Sequence, residues 1–208
     1  RDRSGLVHAM NVLGVILARG GSVRCPRKNV RMLGQHPLIA YTINAAHESM
    51  FINEVVVSSD SDEILDVARS YRAKALKRPA EMATPEAEAY PALMHAIASR
   101  KNHYDIVCLL QPTSPFRIAC DADCCIMGLL YRSAWPAFAS VTEGEIVPNG
   151  ACYAAHIGWL RESLAMGTRR PFDGPACGRY IMPRMRSLAI NTEEDFSAAE
   201  AIIMGMAA

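Results

Sequence analysis

The sequence lacks the features that mark several large classes of protein. Its 208 residues include 22 Lys and Arg against 21 Asp and Glu, a formal net charge of +1, so nothing favours a broad face for a nucleic-acid polymer. Half of the residues are hydrophobic, but no run approaches the roughly 18 apolar residues that a membrane span requires. We therefore expect a soluble, cytoplasmic protein whose partners include neither a membrane nor a nucleic-acid polymer.

Several motifs that would mark a metal, disulfide or nucleotide site are missing as well. The seven Cys form no C-x-x-C pair, and the six His are scattered without H-x-x-x-H spacing. Reduced, mostly structural thiols are therefore favoured over disulfides or a zinc site, and no His is assigned a catalytic role. The glycine motifs GxxxxGK[ST] and GxGxxG are also absent, so kinase-type and dinucleotide-binding sites receive no support.

The opening segment RDRSGLVHAM has neither the apolar core of a signal peptide nor helical periodicity. We interpret residues 1–10 as a vector-derived tail, with Met10 as the natural start. Residues 11–208 then form one domain without an interdomain linker, long enough to bury roughly 70% of the surface of the unfolded chain.

Short apolar strands alternate with helical patterns along residues 11–208. Strands are predicted at 11–18, 54–59, 105–110, 137–142, 151–155, 179–183 and 187–191, and helices at 37–49, 60–73, 84–100, 120–131, 157–164 and 192–206. This alternation predicts an α/β fold, a mainly parallel sheet with helices on both faces. Ligands bind such sheets at the carboxyl ends of the strands, so the loops 19–29, 58–60 and 111–117 and the stretch near Asn191 are the candidate site.

Three helix starts have candidate caps. Asp60, followed by Glu63 three residues later, resembles a capping box, and Thr84 precedes a proline. The acidic start of the last helix would be capped by Asn191 or Thr192.

The loop after the first strand, LARGGSVRCPRKN, has the composition of an anion-binding turn. Gly20 and Gly21 leave backbone N–H groups open to an anion, and Ser22 adds a hydroxyl donor. Positive charge comes from Arg19, Arg24, Arg27 and Lys28. From these residues alone, an exposed and solvated glycine turn is an equally good interpretation.

Seven stretches, in this order, resemble one family: LARGGSVRCPRKN, PLIAYTINAA, VVVSSDSDEI, RPAEMAT, LLQPTSPFR, PNGACY and SLAINTEEDF. The chain resembles the acylneuraminate cytidylyltransferases, or CMP-sialic acid synthetases, from Asn11 to about Ile203. The resemblance implies a Rossmann-like α/β nucleotidyltransferase, usually a homodimer. In this family the anomeric hydroxyl of a 2-keto-3-deoxy sugar acid attacks the α-phosphate of CTP and releases pyrophosphate.

The resemblance also implies roles for individual residues. Those for the nucleotide are Arg19, Gly20, Gly21, Ser22, Arg24, Lys28, Asn29 and Arg78, with Asn29 at the ribose. Those for the sugar acid are Gln111, Thr113, Ser114, Asn149 and Gly150. The candidates for a catalytic role are Arg19, Lys28 and Gln111. Taken alone, QPTSP would be only a proline-stiffened turn at the end of a strand.

The chain departs from the family pattern at four places. Val23 stands where relatives have a phosphate-binding Lys, although Arg24 is next to it. PEAEA (85–89) replaces a hydroxyl-rich segment near the base, and only four residues separate Glu143 from Pro148, where relatives carry a longer segment. In SLAIN, Ala189 and Asn191 replace two aspartates that bind Mg²⁺ in relatives. Ala offers no ligand, so Asn191 is the candidate metal residue, with helix capping as its alternative.

Three functions are compatible with these patterns. The first is a cytidylyltransferase that makes a CMP-activated sugar acid. The second is a relative that binds nucleotide, or pairs with an active subunit, without turnover. The third is an enzyme of the same fold that uses another nucleotide or another acid acceptor, which the altered base segment would allow.

Overall fold

A computed structural model describes residues 10–22, 24–84, 87–131 and 134–206. Residues 1–9 of the tail predicted at 1–10, Val23, and Pro85 with Glu86 lie outside these described residues.

The main sheet has seven strands in the spatial order β5-β4-β1-β6-β8-β7-β9. They are β1 (Val12–Leu17), β4 (Ile52–Ser59), β5 (Lys74–Lys77), β6 (Ile106–Leu110), β7 (Ala137–Thr142), β8 (Pro148–His156) and β9 (Cys177–Met182), while β2 (Met32–Leu33) and β3 (His36–Pro37) form a separate hairpin. Strand β8 is antiparallel to its neighbours β6 and β7. All other neighbouring pairs of the main sheet are parallel, which confirms the predicted mainly parallel sheet.

Helices cover both faces of the sheet, as predicted. They are α1 (Leu38–His47), α2 (Asp62–Ser70), α3 (Ala89–Ala98), α4 (Ala119–Tyr131), α5 (Ile157–Ala165) and α6 (Glu193–Met206). Side chains of α1, α2 and α4 share one buried cluster with Ile16 of β1, and those of α3 and α5 share another with Val15. Because successive residues of a strand point to opposite faces, continuous apolar runs such as VLGVIL and IVCLL supply both clusters.

The predicted strand at 187–191 is wrong. A short 3₁₀ turn, Arg184–Ser187, is followed by chain that joins neither sheet. Ile190 is buried in a third cluster with Leu33 and Phe196, and its N–H donates to the carbonyl of Thr113 at 2.8 Å. The alternation of apolar and polar residues in SLAIN therefore arises from the burial of Ile190, and not from a strand that is paired by backbone hydrogen bonds.

Two predicted helix starts are also wrong. Helix α2 begins after Ser61, so Asp60 is not its cap, and helix α3 begins at Ala89, several residues beyond Thr84. At the start of α6 the cap is Thr192, whose Oγ1 accepts the N–H of Asp195 at 3.2 Å while the Asp195 carboxylate accepts the N–H of Thr192 at 2.9 Å. This reciprocal pair is a capping box.

All seven cysteines are free thiols, and five of them are buried: Cys25, Cys108, Cys125, Cys152 and Cys177. Across the described ranges, no helix combines the length and the apolar character needed to cross a membrane.

Candidate active site

A cavity of about 360 Å³ opens at the carboxyl ends of β1, β5 and β6. Its lining residues are Leu17, Arg19, Ser22, Arg24, Lys28, Asn29, Arg78, Met82, Ala83, Thr84, Ala87, Glu88, Ala89, Gln111, Pro112, Thr113 and Asn191. The position agrees with the rule that ligands bind open α/β sheets at the carboxyl edge. The structure therefore brings most of the predicted nucleotide residues together with Gln111 and Thr113.

The glycine loop after β1 is held by the end of β4. The backbone N–H of Gly20 donates to the Asp60 carboxylate at 3.0 Å, so that N–H is directed at a protein group. A Cβ at Gly20 would lie 2.9 Å from the Cβ of Ser61, whereas one at Gly21 would meet nothing within 4 Å. Neither glycine has a positive φ, so close approach, and not left-handed backbone, explains Gly20.

Four basic side chains line the cavity. Arg19, Arg24 and Lys28 come from the loop after β1, and Arg78 follows β5. The Lys28 ammonium donates to the carbonyl of Ile190 at 3.0 Å. Burial lowers the pKa of Lys28, with Arg24 and Arg19 among the further causes. The charge of the described lining therefore suits an anion.

Arg27, the other basic residue of the loop, does not line the cavity. Its guanidinium forms an ion pair with Glu63 of α2 and its side chain is largely exposed. Of the basic residues of this loop, Arg19, Arg24 and Lys28 therefore line the cavity, whereas Arg27 lies at the surface.

Two of the described lining side chains are buried and carry a polar atom that lacks a hydrogen-bond partner among the described residues. Arg78 is 6% exposed; its guanidinium lies 3.7 Å from Asp60, and its Nε has no hydrogen-bond partner among the described residues. Asn29 is 5% exposed; its Nδ2 donates to the carbonyl of Arg19 at 3.1 Å, and within the described ranges its Oδ1 accepts nothing. Buried polar atoms usually have partners, so these two are suited to meet a ligand.

Gln111 is placed by contacts to its backbone. Its carbonyl accepts from Thr42 Oγ1 at 3.2 Å and from Arg117 Nη1 at 3.1 Å. The same Arg117 nitrogen donates to the carbonyl of Ala151 at 2.8 Å, which ties the end of β6 to the start of β8. Gln111 therefore lines the cavity with its backbone fixed at the end of β6.

The other residues predicted for the sugar acid are distributed differently. Ser114 is 1% exposed and lies outside the lining set. Asn149 lies outside it too, and its amide bonds within the protein: its Oδ1 accepts from Ser140 and Ala151, and its Nδ2 donates to Ser187. Their role as substrate residues stays a prediction.

Gly150 lies beside Gln111. Its φ of +88° is in the left-handed region, and a Cβ there would be 3.9 Å from Gln111 Nε2 and 4.0 Å from the hydroxyl of Tyr153. Tyr153 was missed by sequence reasoning, although it lies within PNGACY. Burial is the main cause that raises its pKa to about 12, so it stays a neutral donor. Gly150 therefore lies next to both Gln111 and Tyr153, although neither Gly150 nor Tyr153 belongs to the described lining of the cavity.

The segment that follows Arg78 also lines the cavity, and the sequence indicated only its PEAEA part (85–89). Met82, Thr84 and Glu88 line the cavity there, and Arg19 Nη1 reaches across to the carbonyl of Thr84 at 3.3 Å. Glu88 lies 4.0 Å from Arg169. Glu88 lies within PEAEA, the segment that the sequence had indicated by its loss of hydroxyl residues, whereas Met82 and Thr84 were not predicted as site residues.

The described residues do not fit a protein-held magnesium site. They contain no group of three or more His, Cys, Asp or Glu that could hold a metal ion. Among the described lining residues, side-chain oxygen ligands are limited to the Glu88 carboxylate, the Thr and Ser hydroxyls and the amides of Asn29, Gln111 and Asn191. Mg²⁺ prefers carboxylate, phosphate and water ligands, so we derive no chemical step through a metal held by the protein.

The described sheet and helices have the Rossmann-like α/β fold of nucleotidyltransferases. Solved structures share the fold: the CMP:2-keto-3-deoxy-manno-octonic acid synthetase complexed with CTP superposes with a TM-score of 0.74 and 15% identity, over 94% of this chain and 99% of that one. A cytidylyltransferase from Leptospira borgpetersenii superposes with a TM-score of 0.76 and 18% identity, over 94% of this chain and 87% of that one. At these identities the likeness concerns the fold alone.

The sequence model of the family described as Cytidylyltransferase matches residues 13–122, more than half of the chain. The chain belongs to the cytidylyltransferase family.

Curated relatives include the N-acylneuraminate cytidylyltransferase of Escherichia coli O18:K1:H7, 43% identical over 51% of this chain and 25% of that protein. The CMP-N,N'-diacetyllegionaminic acid synthase of Legionella pneumophila is 44% identical over 52% of this chain and 48% of that protein. The chain thus spans between a quarter and half of the length of these relatives. The family resemblance deduced from the sequence motifs is confirmed.

Proposed function

We propose that this protein transfers CMP from CTP to a 2-keto-3-deoxy sugar acid of the sialic acid type and releases pyrophosphate. The observation that carries the proposal is the convergence of Arg19, Arg24, Lys28 and Arg78 on one cavity at the carboxyl edge of the sheet. The names of the two relatives, a cytidylyltransferase and a CMP-sugar-acid synthase, support the same activity.

The nucleotide would lie along the glycine loop. Guanidinium groups suit bidentate contacts with phosphate oxygens, and the Lys28 ammonium adds a point charge. The unpartnered Oδ1 of Asn29 is an acceptor of the kind that a ribose hydroxyl would satisfy. These residues would stabilise the charge that spreads over the phosphate oxygens in the transition state.

The acceptor would lie towards Gln111, Thr113 and Gly150. An amide that can both donate and accept suits a polyhydroxylated sugar acid. In the transfer, a bond forms between the anomeric oxygen and the α-phosphorus while the bond from that phosphorus to the pyrophosphate oxygen breaks. Pyrophosphate leaves with the electron pair, and the hydroxyl proton passes to water.

Release of pyrophosphate tests this proposal directly. The full chain would be incubated with each of the four nucleoside triphosphates, with and without a panel of keto-sugar acids. Release that requires both CTP and one acid is the expected result. Nucleotide binding without release would instead identify a relative that lacks turnover, and release with another triphosphate or another acid would identify a different specificity.

The homodimer implied by the resemblance and the cytoplasmic location stay predictions. Light scattering on the purified full chain would measure its mass in solution, and a mass near twice the 22.7 kDa of one chain would establish the dimer.

A further inference from the structure

We infer that this site binds its nucleoside triphosphate as the metal-free anion, with fixed basic side chains taking the place of a divalent cation held by the protein. The inference rests on the proposed nucleotide site and concerns the ionic form of the ligand that the site prefers.

Carboxylates near the cavity are already engaged by protein groups. Asp60 accepts the N–H of Gly20 at 3.0 Å and faces the buried guanidinium of Arg78. Asp195 accepts the backbone N–H groups of Asn191 and Thr192 at 2.8 and 2.9 Å. These contacts hold the glycine loop and the start of α6, they use one oxygen of each carboxylate, and neither Asp60 nor Asp195 belongs to the described lining of the cavity.

Glu193 is engaged in the same way. It pairs with Arg31 and is further stabilised by the nearby Cys25 thiol. Glu88 is then the remaining carboxylate among the described residues that line the cavity, and it lies 4.0 Å from Arg169 on its outer side. One carboxylate is too few for a cation to be bound without its phosphate ligands.

Positive charge, by contrast, is supplied by side chains that line the cavity. Lys28 extends to the carbonyl of Ile190, so its ammonium lies at the segment that contains Ala189 and Asn191. Ala189 offers no ligand atom, and a dication placed there would be repelled by Lys28 at short range. Arg78, nine-tenths buried, keeps its Nε unpartnered within the described ranges.

The charge balance decides the preferred form of the nucleotide. The described lining carries four basic side chains and one acidic side chain. A divalent cation cancels two charges of the triphosphate and so weakens its attraction to these side chains. The free triphosphate, which keeps its full charge, should therefore bind more tightly than its magnesium complex.

Calorimetric titration of the full chain with CTP tests the inference. One series contains EDTA and the other contains MgCl₂ in excess of CTP, at matched pH and ionic strength. We expect the dissociation constant in EDTA to be smaller than that in Mg²⁺, by up to about tenfold. Binding that is equally tight or weaker in EDTA would overturn the inference while leaving the nucleotide site and the proposed function intact.

Absence of binding in both series, with the protein shown to be folded by circular dichroism, would overturn the inference and the proposed nucleotide site together. The two failures are therefore distinguishable.

Three variants sharpen the comparison. Lys28→Gln removes a cavity charge and should abolish the preference for metal-free CTP, whereas Arg27→Gln, on the same loop but paired with Glu63, should preserve it. The double variant Ala189→Asp with Asn191→Asp should reverse it, because two added carboxylates repel the free triphosphate and attract Mg²⁺. An unchanged preference in Lys28→Gln and in the double variant would show that these groups do not face the phosphates and would overturn the inference.

Discussion

The backbone N–H of Gly20 donates a 3.0 Å hydrogen bond to the carboxylate of Asp60, which ties the glycine loop after β1 to the end of β4. Because Asp60 also faces the buried Arg78, its carboxylate positions both the glycine loop and the Arg78 guanidinium. The shape of the loop is thus fixed by a neighbouring strand as well as by its own glycines.

This arrangement predicts that Gly20→Ala and Gly21→Ala behave differently. A Cβ at Gly20 would lie 2.9 Å from the Cβ of Ser61, which is fixed at the start of α2, so the loop must shift. We expect a loss of about 1–3 kcal/mol in the free energy of unfolding, together with weaker CTP binding.

Gly21→Ala is the matched control. Its Cβ would meet nothing within 4 Å, and its φ is not positive, so stability should change by less than about 1 kcal/mol. Urea unfolding and calorimetric titration of both variants make the comparison. Equal behaviour of the two would show that the close contact at Gly20 does not constrain the loop.

Arg19→Ala and Lys28→Ala should each weaken CTP binding by about tenfold or more, because each removes a charge that lines the cavity. The melting temperature should change little, since exposed or half-buried loop charges contribute modestly to stability. Calorimetric titration gives the affinities. Arg27→Ala, which removes a charge from the same loop but outside the cavity, is the control, and a loss in that variant equal to the other two would argue for a general charge effect.

Gln111→Ala should spare nucleotide binding and impair use of the acid. The Gln111 carbonyl, held by Thr42 and Arg117, is unaffected by the change, so the wall should keep its shape while it loses the amide. Steady-state kinetics would separate the two effects. We expect a raised KM or reduced kcat with respect to the acid and an unchanged KM for CTP; the opposite pattern would contradict the assignment.

The cap of α6 predicts a pH-dependent contribution to stability. The N–H groups of Asn191 and Thr192 hold the pKa of Asp195 below its ordinary value of 3.8. A lowered carboxylate pKa means that the contribution is present above the ordinary value and is lost as the pH falls through the lowered one. Asp195→Asn should therefore cost about 1 kcal/mol in the free energy of unfolding at neutral pH.

The free energy of unfolding of Asp195→Asn should be closer to that of the parent protein at acid pH. Because the parent carboxylate becomes protonated there, the difference between the two proteins should shrink below about pH 4. Urea unfolding at neutral and acid pH measures it. A difference that stays constant with pH would show that the cap acts without its charge.

Several elements could be predicted because they depend on local pattern alone. The apolar runs VLGVIL and IVCLL can be buried on both faces only inside a covered sheet, and they form β1 and β6. Strand β5 escaped prediction because Lys74 and Lys77 occupy its ends, as is common for edge strands that avoid further pairing.

Two of the wrong predictions share one physical cause. Asp60 has the sequence context of a cap, but the distant Gly20 N–H competes for its carboxylate, and Ser61 takes the cap position instead. The strand expected at 187–191 fails for a similar reason, because Ile190 is fixed by Thr113 and by a buried cluster, not by a neighbouring strand. Such long-range partners cannot be deduced from one stretch of sequence.

The cavity draws almost entirely on one half of the polypeptide. Of its described lining residues, Asn191 lies outside the segment 13–122 that matches the family, and all the others lie within it. If the cavity binds the nucleotide as proposed, the side chains that do so are encoded almost entirely within the segment that matches the family. Among the described residues, the chain beyond residue 122 reaches the cavity through Asn191 and supports it through contacts such as that of Ile190 with Lys28.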